Sequence, residues 1–355
     1  MLTPNVTSTY IWFSKSEGAM MPQLRNTLIV LAATTAGALS LAGCSTTATT
    51  PASSEGAEAK TAAVIKGLDN PFFQSMEEGI KAADDSITVQ AAQDITDTSG
   101  QADRLASLAG QDFSCFIINP ISGNNLLQGV AQLKSSGKTV VNIDSPVDPD
   151  AAASANATPD TYIGTDNVSA GNLAGEHMAS LIEDGAKVAV IGGIAGDVTS
   201  GDRVTGFTEG LGDKGEVLET VSADWDRQVA LTKAGDLLRA NPDIAGFFVA
   251  NDVMGLGVAR AVADAGLTGE VSIISVDGVP EGLSGVESGE LTATVAQYPY
   301  AIGEMGAQAC AAAAAGDELP ENVEAPVALV TKDNVSDALA AAPAPFEEYE
   351  NPFAQ

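Results

Sequence analysis

The chain changes from a strand pattern to a helix pattern within residues 63–80, AVIKGLDNPFFQSMEEGI. The apolar start of this stretch predicts a buried strand. Asn70 is suited to cap a helix and Pro71 to stand in its first turn, and apolar residues then recur at helical spacing from Phe73 to Ile80. A strand that leads directly into a helix is the first half of a βα unit.

The end of this predicted strand carries groups suited to a ligand. In open α/β sheets, ligands bind beyond the carboxyl ends of the strands. Here that end holds Lys66, Asn70 and the rings of Phe72 and Phe73. Adjacent helical residues point in different directions, so we expect at least one ring to face a cleft instead of the core. Rings beside hydrogen-bonding groups favour a ligand with flat faces and many hydroxyls.

The same alternation continues along the chain, which has 355 residues and is long enough for two domains. Helical stretches separate the predicted strands at the spacing of βαβ crossovers. These strands are too numerous for one small doubly wound sheet, so we predict an α/β protein with two Rossmann-like α/β/α domains. The predicted strands are 62–68, 87–91, 113–118, 139–143, 162–164, 188–191, 217–221, 246–250, 271–276 and 292–296.

The two predicted domains exchange chain segments, because a short returning strand near 327–330 follows the last helix. Three crossings near Thr165, Gln297 and Val323 are expected to form a hinge. Proline residues and a run of acids predict a disordered tail at the end. The predicted boundaries are 61–165 plus 298–322 for the first lobe, 166–297 plus 323–335 for the second, and 336–355 for the tail.

The first 43 residues are predicted to be a signal peptide, with Met20 or Met21 as the true start. Their apolar run ends in Leu-Ala-Gly-Cys44, which resembles the bacterial lipobox, whose cysteine receives lipid. The alternative is an ordinary signal peptide. Residues 44–60 are rich in Ser, Thr and Ala and predict a flexible tether. We therefore expect an extracytoplasmic lipoprotein anchored through Cys44 to the outer face of the membrane.

The charges of this chain limit the kinds of ligand and partner that it is expected to bind. The formal net charge of −31 argues against a nucleic acid or any other polyanion. Within the predicted strand ends, Asp144 and Asp277 offset Lys66 and Arg203. Carboxylates, amides and a guanidinium hold vicinal hydroxyls well, and aromatic rings suit sugar C–H faces. The residue types at the strand ends therefore favour a neutral ligand.

Several motifs in order resemble the type I periplasmic sugar-binding proteins of ABC transporters, in the ribose- and allose-binding group. The resemblance covers roughly residues 62–330. The matching motifs are Lys66-Gly-Leu-Asp-Asn-Pro-Phe-Phe73, Thr165-Asp-Asn167, Arg203-Val-Thr-Gly-Phe207, Ala223-Asp-Trp-Asp-Arg227, Asn251-Asp252, Asp277-Gly278 and Val295-Ala-Gln297.

The resemblance implies the type I periplasmic binding protein fold and a monomer that captures a monosaccharide or sugar alcohol between its lobes. It also implies that the closed form is presented to the permease of an ABC importer. Lys66 and Trp225 favour the allose-like branch, and Ser145 stands where ribose binders have arginine, which argues against ribose. The implied sugar-binding residues are Lys66, Asn70, Phe72, Phe73, Asn119, Asp144, Thr165, Arg203, Trp225, Asn251, Asp277 and Gln297.

Other functions receive less support from the residues. The glycines of 188–196 resemble a dinucleotide motif, but Ile191 replaces the earlier glycine, so a tight cleft-lining turn is expected. His177 is the only histidine, and without a Cys/His cluster we predict neither a metal nor a cofactor. Asp144 and Asp277 are the residue types of a glycosidase pair, but each already has a role in sugar recognition, so we predict no catalytic residue.

A sensor for a sugar or autoinducer, partnering a signalling receptor, stays open as an alternative, because the same fold serves signalling. A repressor of this fold would carry a basic helix-turn-helix where this chain has its signal sequence.

The remaining cysteines, Cys115 and Cys310, are candidates for a disulfide in an oxidising compartment. Cys115 precedes Asn119 by four residues along a strand, about 13 Å below the cleft. If the last long helix begins at the cleft at Pro299, Cys310 lies about 16 Å below it. Two separate buried thiols are the alternative.

Overall fold

The computed structural model describes residues 59–354. The predicted signal peptide, the lipidation site Cys44 and nearly all of the predicted tether lie outside the described residues. No helix within residues 59–354 is both long and apolar enough to cross a membrane.

The described residues form two six-stranded sheets, each with helices on both faces. The first sheet has the order β11-β5-β4-β3-β1-β2 and is parallel throughout. Its strands are β1 (Thr61–Ile65), β2 (Thr88–Ala91), β3 (Cys115–Ile118), β4 (Thr139–Ile143), β5 (Thr161–Thr165) and β11 (Asn322–Ala325).

The second sheet has the order β12-β10-β9-β8-β6-β7 and is parallel except for the antiparallel pair β10–β12. Together the sheets confirm the predicted α/β class with two doubly wound units. The strands are β6 (Ala186–Gly192), β7 (Gly215–Ser222), β8 (Ile244–Val249), β9 (Ser272–Asp277), β10 (Ala293–Gln297) and β12 (Val327–Thr331).

A helix follows each strand from β1 to β10 and leads to the next strand. In the first lobe, α10 packs against α1 and against β3, β4 and β5. The helices are α1 (Pro71–Ala83), α2 (Thr98–Ala109), α3 (Leu127–Ser135), α4 (Pro149–Ala155), α5 (Asn167–Leu181), α6 (Val198–Leu211), α7 (Arg227–Ala240), α8 (Asp252–Asp264), α9 (Pro280–Ser288), α10 (Pro299–Ala315) and α11 (Val335–Ala341).

Strand β1 is buried on both faces, which explains its continuous apolar pattern. Ala63 and Ile65 belong to one core cluster, which includes the two rings of α1. Ala62 and Val64 belong to another, on the opposite face of the sheet. The carboxyl end of β1 is thereby fixed at the edge where Lys66 begins the loop to α1.

The third crossing lies at Pro326, not near Val323 as predicted. Residues Asn322–Ala325 form β11, which pairs in parallel with β5 and belongs to the first sheet. Asn322 and Glu324 are exposed and alternate with buried Val323 and Ala325. A four-residue strand with two polar residues gives little signal in sequence, so the first lobe was predicted one strand short.

The prediction that residues 336–355 form a disordered tail is wrong for the described part of that range. Residues 335–341 are helical in α11, with Val335 and Ala338 buried. Beyond α11, Phe346 packs against the second-lobe core and Phe353, 8% exposed, against the first-lobe core. Acids and prolines dominate the composition, but a few aromatic side chains supply the apolar area that orders the segment.

Cys115 of β3 and Cys310 of α10 form a disulfide, with Cα atoms 5.8 Å apart. This distance falls within the range that a disulfide spans. Both residues lie in the first lobe, so the bond links a strand to its covering helix and does not cross between the lobes.

Candidate functional site

A cavity of about 70 Å³ lies where the carboxyl ends of both sets of strands face each other. Most of the predicted sugar-binding residues line it, and they come from both lobes. Both Phe72 and Phe73 contribute, although one ring would have met the expectation. The predicted residues that line this cavity are Lys66, Asn70, Phe72, Phe73, Asp144, Arg203, Trp225, Asn251 and Asp277.

The second-lobe wall is built around the guanidinium of Arg203, a residue 4% exposed. Its Nη1 donates to Asp277 Oδ1 at 3.1 Å and to the carbonyl of Ala250 at 2.6 Å. Its Nε donates to Asn167 Oδ1 at 2.9 Å. Gln297 Nε2 donates to the same Asp277 oxygen at 2.7 Å. The guanidinium and carboxylate are therefore fixed by several bonds before any ligand arrives.

Close packing of α5 and α6 sets the position of Arg203. A Cβ at Gly171 of α5 would lie 2.1 Å from the carbonyl oxygen of Arg203, and one at Gly206 of α6 would lie 1.9 Å from the carbonyl oxygen of Val168. Only glycine permits this approach of the two backbones. The close contact between α6, which carries Arg203, and α5 thus holds Arg203 at the cleft.

The Asp277 carboxyl is buried beside a second acid, Asp252. Burial raises the pKa of Asp277, the Arg203 guanidinium opposes this rise, and Asp252 adds to it. Burial also raises the pKa of Asp252, against the hydrogen bonds it accepts from the hydroxyls of Ser275 and Thr294. Asp252 Oδ2 accepts from Val279 N at 2.9 Å and so fixes the loop that follows Asp277.

The indole of Trp225 lies over a glycine of the rejected dinucleotide motif. A Cβ at Gly193 would approach Trp225 Cε2 to 2.2 Å, so this position accommodates the ring only as glycine. The Arg203 Cζ atom lies 6.0 Å from the Trp225 ring centroid. The turn after β6 therefore makes room for an aromatic wall of the cavity, in keeping with the cleft-lining turn expected there.

The first-lobe wall carries a second cation and carboxylate. Lys66 Nζ donates to Ser145 Oγ at 2.6 Å and lies 3.7 Å from Asp144 Oδ2. Ser145 Oγ in turn lies 3.1 Å from the same carboxylate oxygen. The ammonium also lies 5.2 Å from the centroid of the Phe73 ring. Ser145 thus links Lys66 to Asp144.

Two asparagines combine capping with access to the cavity. Asn70 Oδ1 accepts from Phe72 N at 2.9 Å and caps α1. Asn251 Oδ1 accepts from Met254 N at 3.0 Å and caps α8. Because the carbonyl oxygen serves the helix in each case, the amide nitrogen is the group left to donate into the cavity.

The other predicted residues, Asn119, Thr165 and Gln297, are buried and are not among the residues that line this cavity. Asn119 Nδ2 lies 3.4 Å from Met76 Sδ. Asn119 Oδ1, Thr165 Oγ1 and Gln297 Oε1 have no hydrogen-bond partner among residues 59–354. Of the three, Gln297 contacts a cavity residue directly, through its hydrogen bond to Asp277.

Sequence reasoning omitted several residues of the wall. Ser145 was noted only as a departure from the ribose binders. The isoleucines give no signal in sequence, because a cleft-facing aliphatic residue looks like a core residue. The omitted lining residues are Ile95, Ile121, Ser145, Ile194, Asp197 and Thr199.

Comparison with known proteins places this geometry in context. A family model described as the periplasmic binding protein domain matches residues 61–318. The D-allose-binding periplasmic protein of Escherichia coli (strain K12) is 36% identical over 257 residues, 70% of this chain and 83% of that protein. The ribose import binding protein of Bacillus subtilis (strain 168) is 30% identical over 270 residues, 76% of this chain and 86% of that protein.

A solved structure is also similar, that of an ABC transporter periplasmic solute binding protein from Actinobacillus succinogenes 130z with bound D-allose. The TM-score is 0.74 at 25% identity, with 79% of this chain and 100% of that chain covered. These similar proteins are named as binding proteins, not as enzymes. The family match and the 36% identical relative show that this chain belongs to the periplasmic binding protein family.

Proposed function

We propose that the chain binds a neutral monosaccharide or sugar alcohol in the cavity between its lobes. The observation that carries this proposal is the pairing of charges across the cavity walls. Each lobe contributes one cation and one carboxylate in contact, Lys66 with Asp144 and Arg203 with Asp277. A charged ligand would add a charge for which these two pairs offer no free counter-charge, whereas hydroxyls donate to the carboxylates and accept from the cations at once.

Aromatic rings support the same ligand class. Phe72 and Phe73 line the first-lobe wall and Trp225 the second. Rings on both sides of a narrow cleft suit the C–H faces of a pyranose or cyclic polyol. Similar proteins are named for D-allose and ribose. Ser145, which accepts a hydrogen bond from Lys66, stands at the position where we expect arginine in ribose binders. For this reason we favour an allose-like ligand over ribose.

The ligand would favour the closed arrangement because it contacts both lobes, and a ligand shifts an equilibrium by its differential affinity. Three connections at Asp166, Tyr298 and Pro326 would absorb the backbone rotation. The closed protein would then deliver the unchanged sugar to the permease of an ABC importer, with no catalytic step. This role is supported by the similarity of the chain to a protein named as a ribose import binding protein.

The binding proposal is tested with the full chain by thermal shift and then by calorimetry. The probe sugars are D-allose, D-ribose, D-xylose, myo-inositol and xylitol. We expect D-allose to give a larger rise in melting temperature than D-ribose, with micromolar affinity, equivalent to about −8 kcal/mol. Asp277→Ala should weaken binding at least tenfold, whereas Asp264→Ala, at an exposed ion pair with Arg260, should not. A chain that binds none of these probes, or that converts the sugar, contradicts the proposal.

We also propose attachment to the membrane through lipid on Cys44, a residue outside the described part of the chain. The Leu-Ala-Gly-Cys sequence before a Ser/Thr-rich tether supports it. Cys44→Ser should release the protein from the membrane fraction or leave it unprocessed. A variant as fully processed and as membrane-bound as the wild type contradicts lipid attachment without affecting the sugar-binding proposal.

A further inference from the structure

Asp144 stands in a strained backbone conformation at the mouth of the first-lobe wall. Its φ is 61°, in the left-handed region that residues other than glycine seldom adopt. Ser145 N donates to the carbonyl oxygen of Ile143 at 2.8 Å, which closes a three-residue γ-turn with Asp144 at its centre. Positive-φ γ-turns are rare and strained. Such strain persists where surrounding groups over-determine the conformation, and it concentrates at functional sites.

One surrounding group is the phenol of Tyr162, on the neighbouring strand β5. Its hydroxyl donates to the carbonyl oxygen of Asp144 at 2.5 Å. On the other side of the turn, Asp144 N donates to the carbonyl oxygen of Ile163 at 2.8 Å. The turn is therefore clamped to β5 by one backbone bond and one side-chain bond.

The sequence of β5 provides the space that this contact requires. A Cβ at position 164 would lie 2.2 Å from the Tyr162 hydroxyl and 3.1 Å from the Asp144 carbonyl oxygen, and the residue there is Gly164. Burial, and then the negative charge of Asp144, raise the pKa of Tyr162, so the phenol keeps its proton and remains a donor at neutral pH. Tyr162 is half-buried and is not among the residues that line the cavity.

We propose that Tyr162 is a positioning residue for ligand recognition, acting on the ligand only through Asp144. The hydroxyl holds the Asp144 carbonyl in the strained turn, and the turn aims the carboxylate at Ser145 and Lys66 across the cavity wall. Without the hydroxyl, Asp144 relaxes toward an ordinary φ and its carboxylate leaves the position it occupies beside Lys66. This proposal rests on the proposed sugar-binding function for its affinity readout and is independent of it for its structural readout.

The affinity test is a double-mutant cycle in the full chain, with D-allose as the probe and calorimetry as the measurement. Tyr162→Phe removes only the hydroxyl and should weaken binding about tenfold, near the upper end of the net contribution of one neutral hydrogen bond. Asp144→Gly removes the carboxylate and relieves the strain, so in that background Tyr162→Phe should change affinity less than twofold. Tyr300→Phe, a half-buried tyrosine of α10, is the matched control and should leave affinity unchanged.

Unchanged affinity in Tyr162→Phe overturns the proposal, and so does an equal loss in both backgrounds, which would mean that Tyr162 acts independently of Asp144. A fall in melting temperature with full affinity assigns Tyr162 a structural role alone. The second measurement is a crystal structure of Tyr162→Phe, in which we expect a negative φ at Asp144. If the wild type binds no probe sugar, the sugar-binding proposal fails, and this structure still tests the positioning role: a φ that remains near 61° overturns it.

Discussion

The two lobes present the same pair of charges to one cavity, but they hold them differently. In the second lobe, Arg203 and Asp277 lie 3.1 Å apart with side chains 5% and 6% exposed. In the first, Lys66 and Asp144 lie 3.7 Å apart with side chains 14% and 11% exposed. Arg203 donates to three acceptors on separate elements, whereas the shortest contact of Lys66 is a serine hydroxyl.

The difference teaches how the site divides its work. A buried ion pair is strongly destabilised when one partner is removed, because the other charge is left without compensation. A lysine on a flexible stem keeps more freedom than a guanidinium held at three points. We infer that the second lobe supplies a rigid half-site that orients the ligand, and that the first lobe supplies a half-site that adjusts to it.

Both half-sites contain a residue with a strained backbone, but different side chains hold the two strained segments in place. Asp144 and Asp277 both have positive φ, 61° and 131°. The loop after Asp277 is held by the carboxylate of Asp252, which lies wholly inside the second lobe. The turn at Asp144 is held by the phenol of Tyr162, which is half-buried. In each half-site the strained segment thus contacts one supporting side chain that does not line the cavity.

Replacing Arg203 should have the largest effect on affinity. Arg203→Met keeps the apolar stem and leaves Asp277 buried without its cation. This change should lower the free energy of unfolding by about 3–5 kcal/mol. We expect D-allose affinity to fall at least a hundredfold by calorimetry, with a lower free energy of unfolding in urea. Arg260→Met is the matched control, since Arg260 makes an exposed ion pair with Asp264 and such pairs contribute about 0–1 kcal/mol. A loss below tenfold would break the assignment of a rigid second half-site.

Replacing Lys66 should have an intermediate effect. Lys66→Met removes the ammonium next to Ser145 and Asp144, and we expect affinity to fall about tenfold, near 1.4 kcal/mol. The free energy of unfolding should change little, because Asp144 and Ser145 are partly accessible to solvent. The measurement is the same pair of calorimetric and urea titrations. An effect as large as that of Arg203→Met on both quantities would erase the difference between the lobes.

Much of this site was predictable because residues close together in the sequence mark where each strand ends. The turn after β1 carries a capping asparagine and a proline, and apolar runs end at Asp144 and Asp277. Parallel sheets bring such ends to one edge, so the grouping of Lys66 with the carboxylates follows from topology alone. The α/β class and its two sheets follow from the same alternation.

The remainder depends on contacts between elements that no local pattern encodes. Tyr162 looks like an ordinary strand residue until β4 and β5 are paired. Thr165 and Gln297 are the last residues of their strands, and an alternation of two decides which face such a residue takes. Packing of a few aromatic residues orders the tail, although its composition predicts disorder.

Removing the tail should have a smaller effect on affinity and would test how the lobes are coupled. Phe346 packs against the second-lobe core and Tyr298, and Phe353 against the first-lobe core, while Asn351 Nδ2 donates to Gln308 Oε1 of α10 at 2.8 Å. Tyr349 contacts the cores of both lobes. These contacts favour the present arrangement, so deleting residues 342–355 should weaken D-allose affinity about threefold, near 0.7 kcal/mol.

The same deletion should also increase the radius of gyration of the ligand-free protein in X-ray scattering, because the lobes lose a link outside the cleft. Glu350→Ala changes an exposed residue of the same segment and serves as the control. Unchanged affinity together with an unchanged radius would show that the segment only covers apolar surface and does not couple the lobes.

Removing the disulfide should have the smallest effect on affinity while affecting stability. Cys115 and Cys310 are separated by 195 residues and both lie in the first lobe, below the cleft. A crosslink that closes a long loop restricts the unfolded chain, so Cys115→Ala with Cys310→Ala should lower the free energy of unfolding by about 2–4 kcal/mol. The cavity walls keep their contacts, so D-allose affinity should change less than twofold. The same chain with and without reductant is the matched control, and the double variant should be insensitive to reductant. A loss of affinity as large as that of Lys66→Met would mean that the adjustable half-site depends on this crosslink for its geometry.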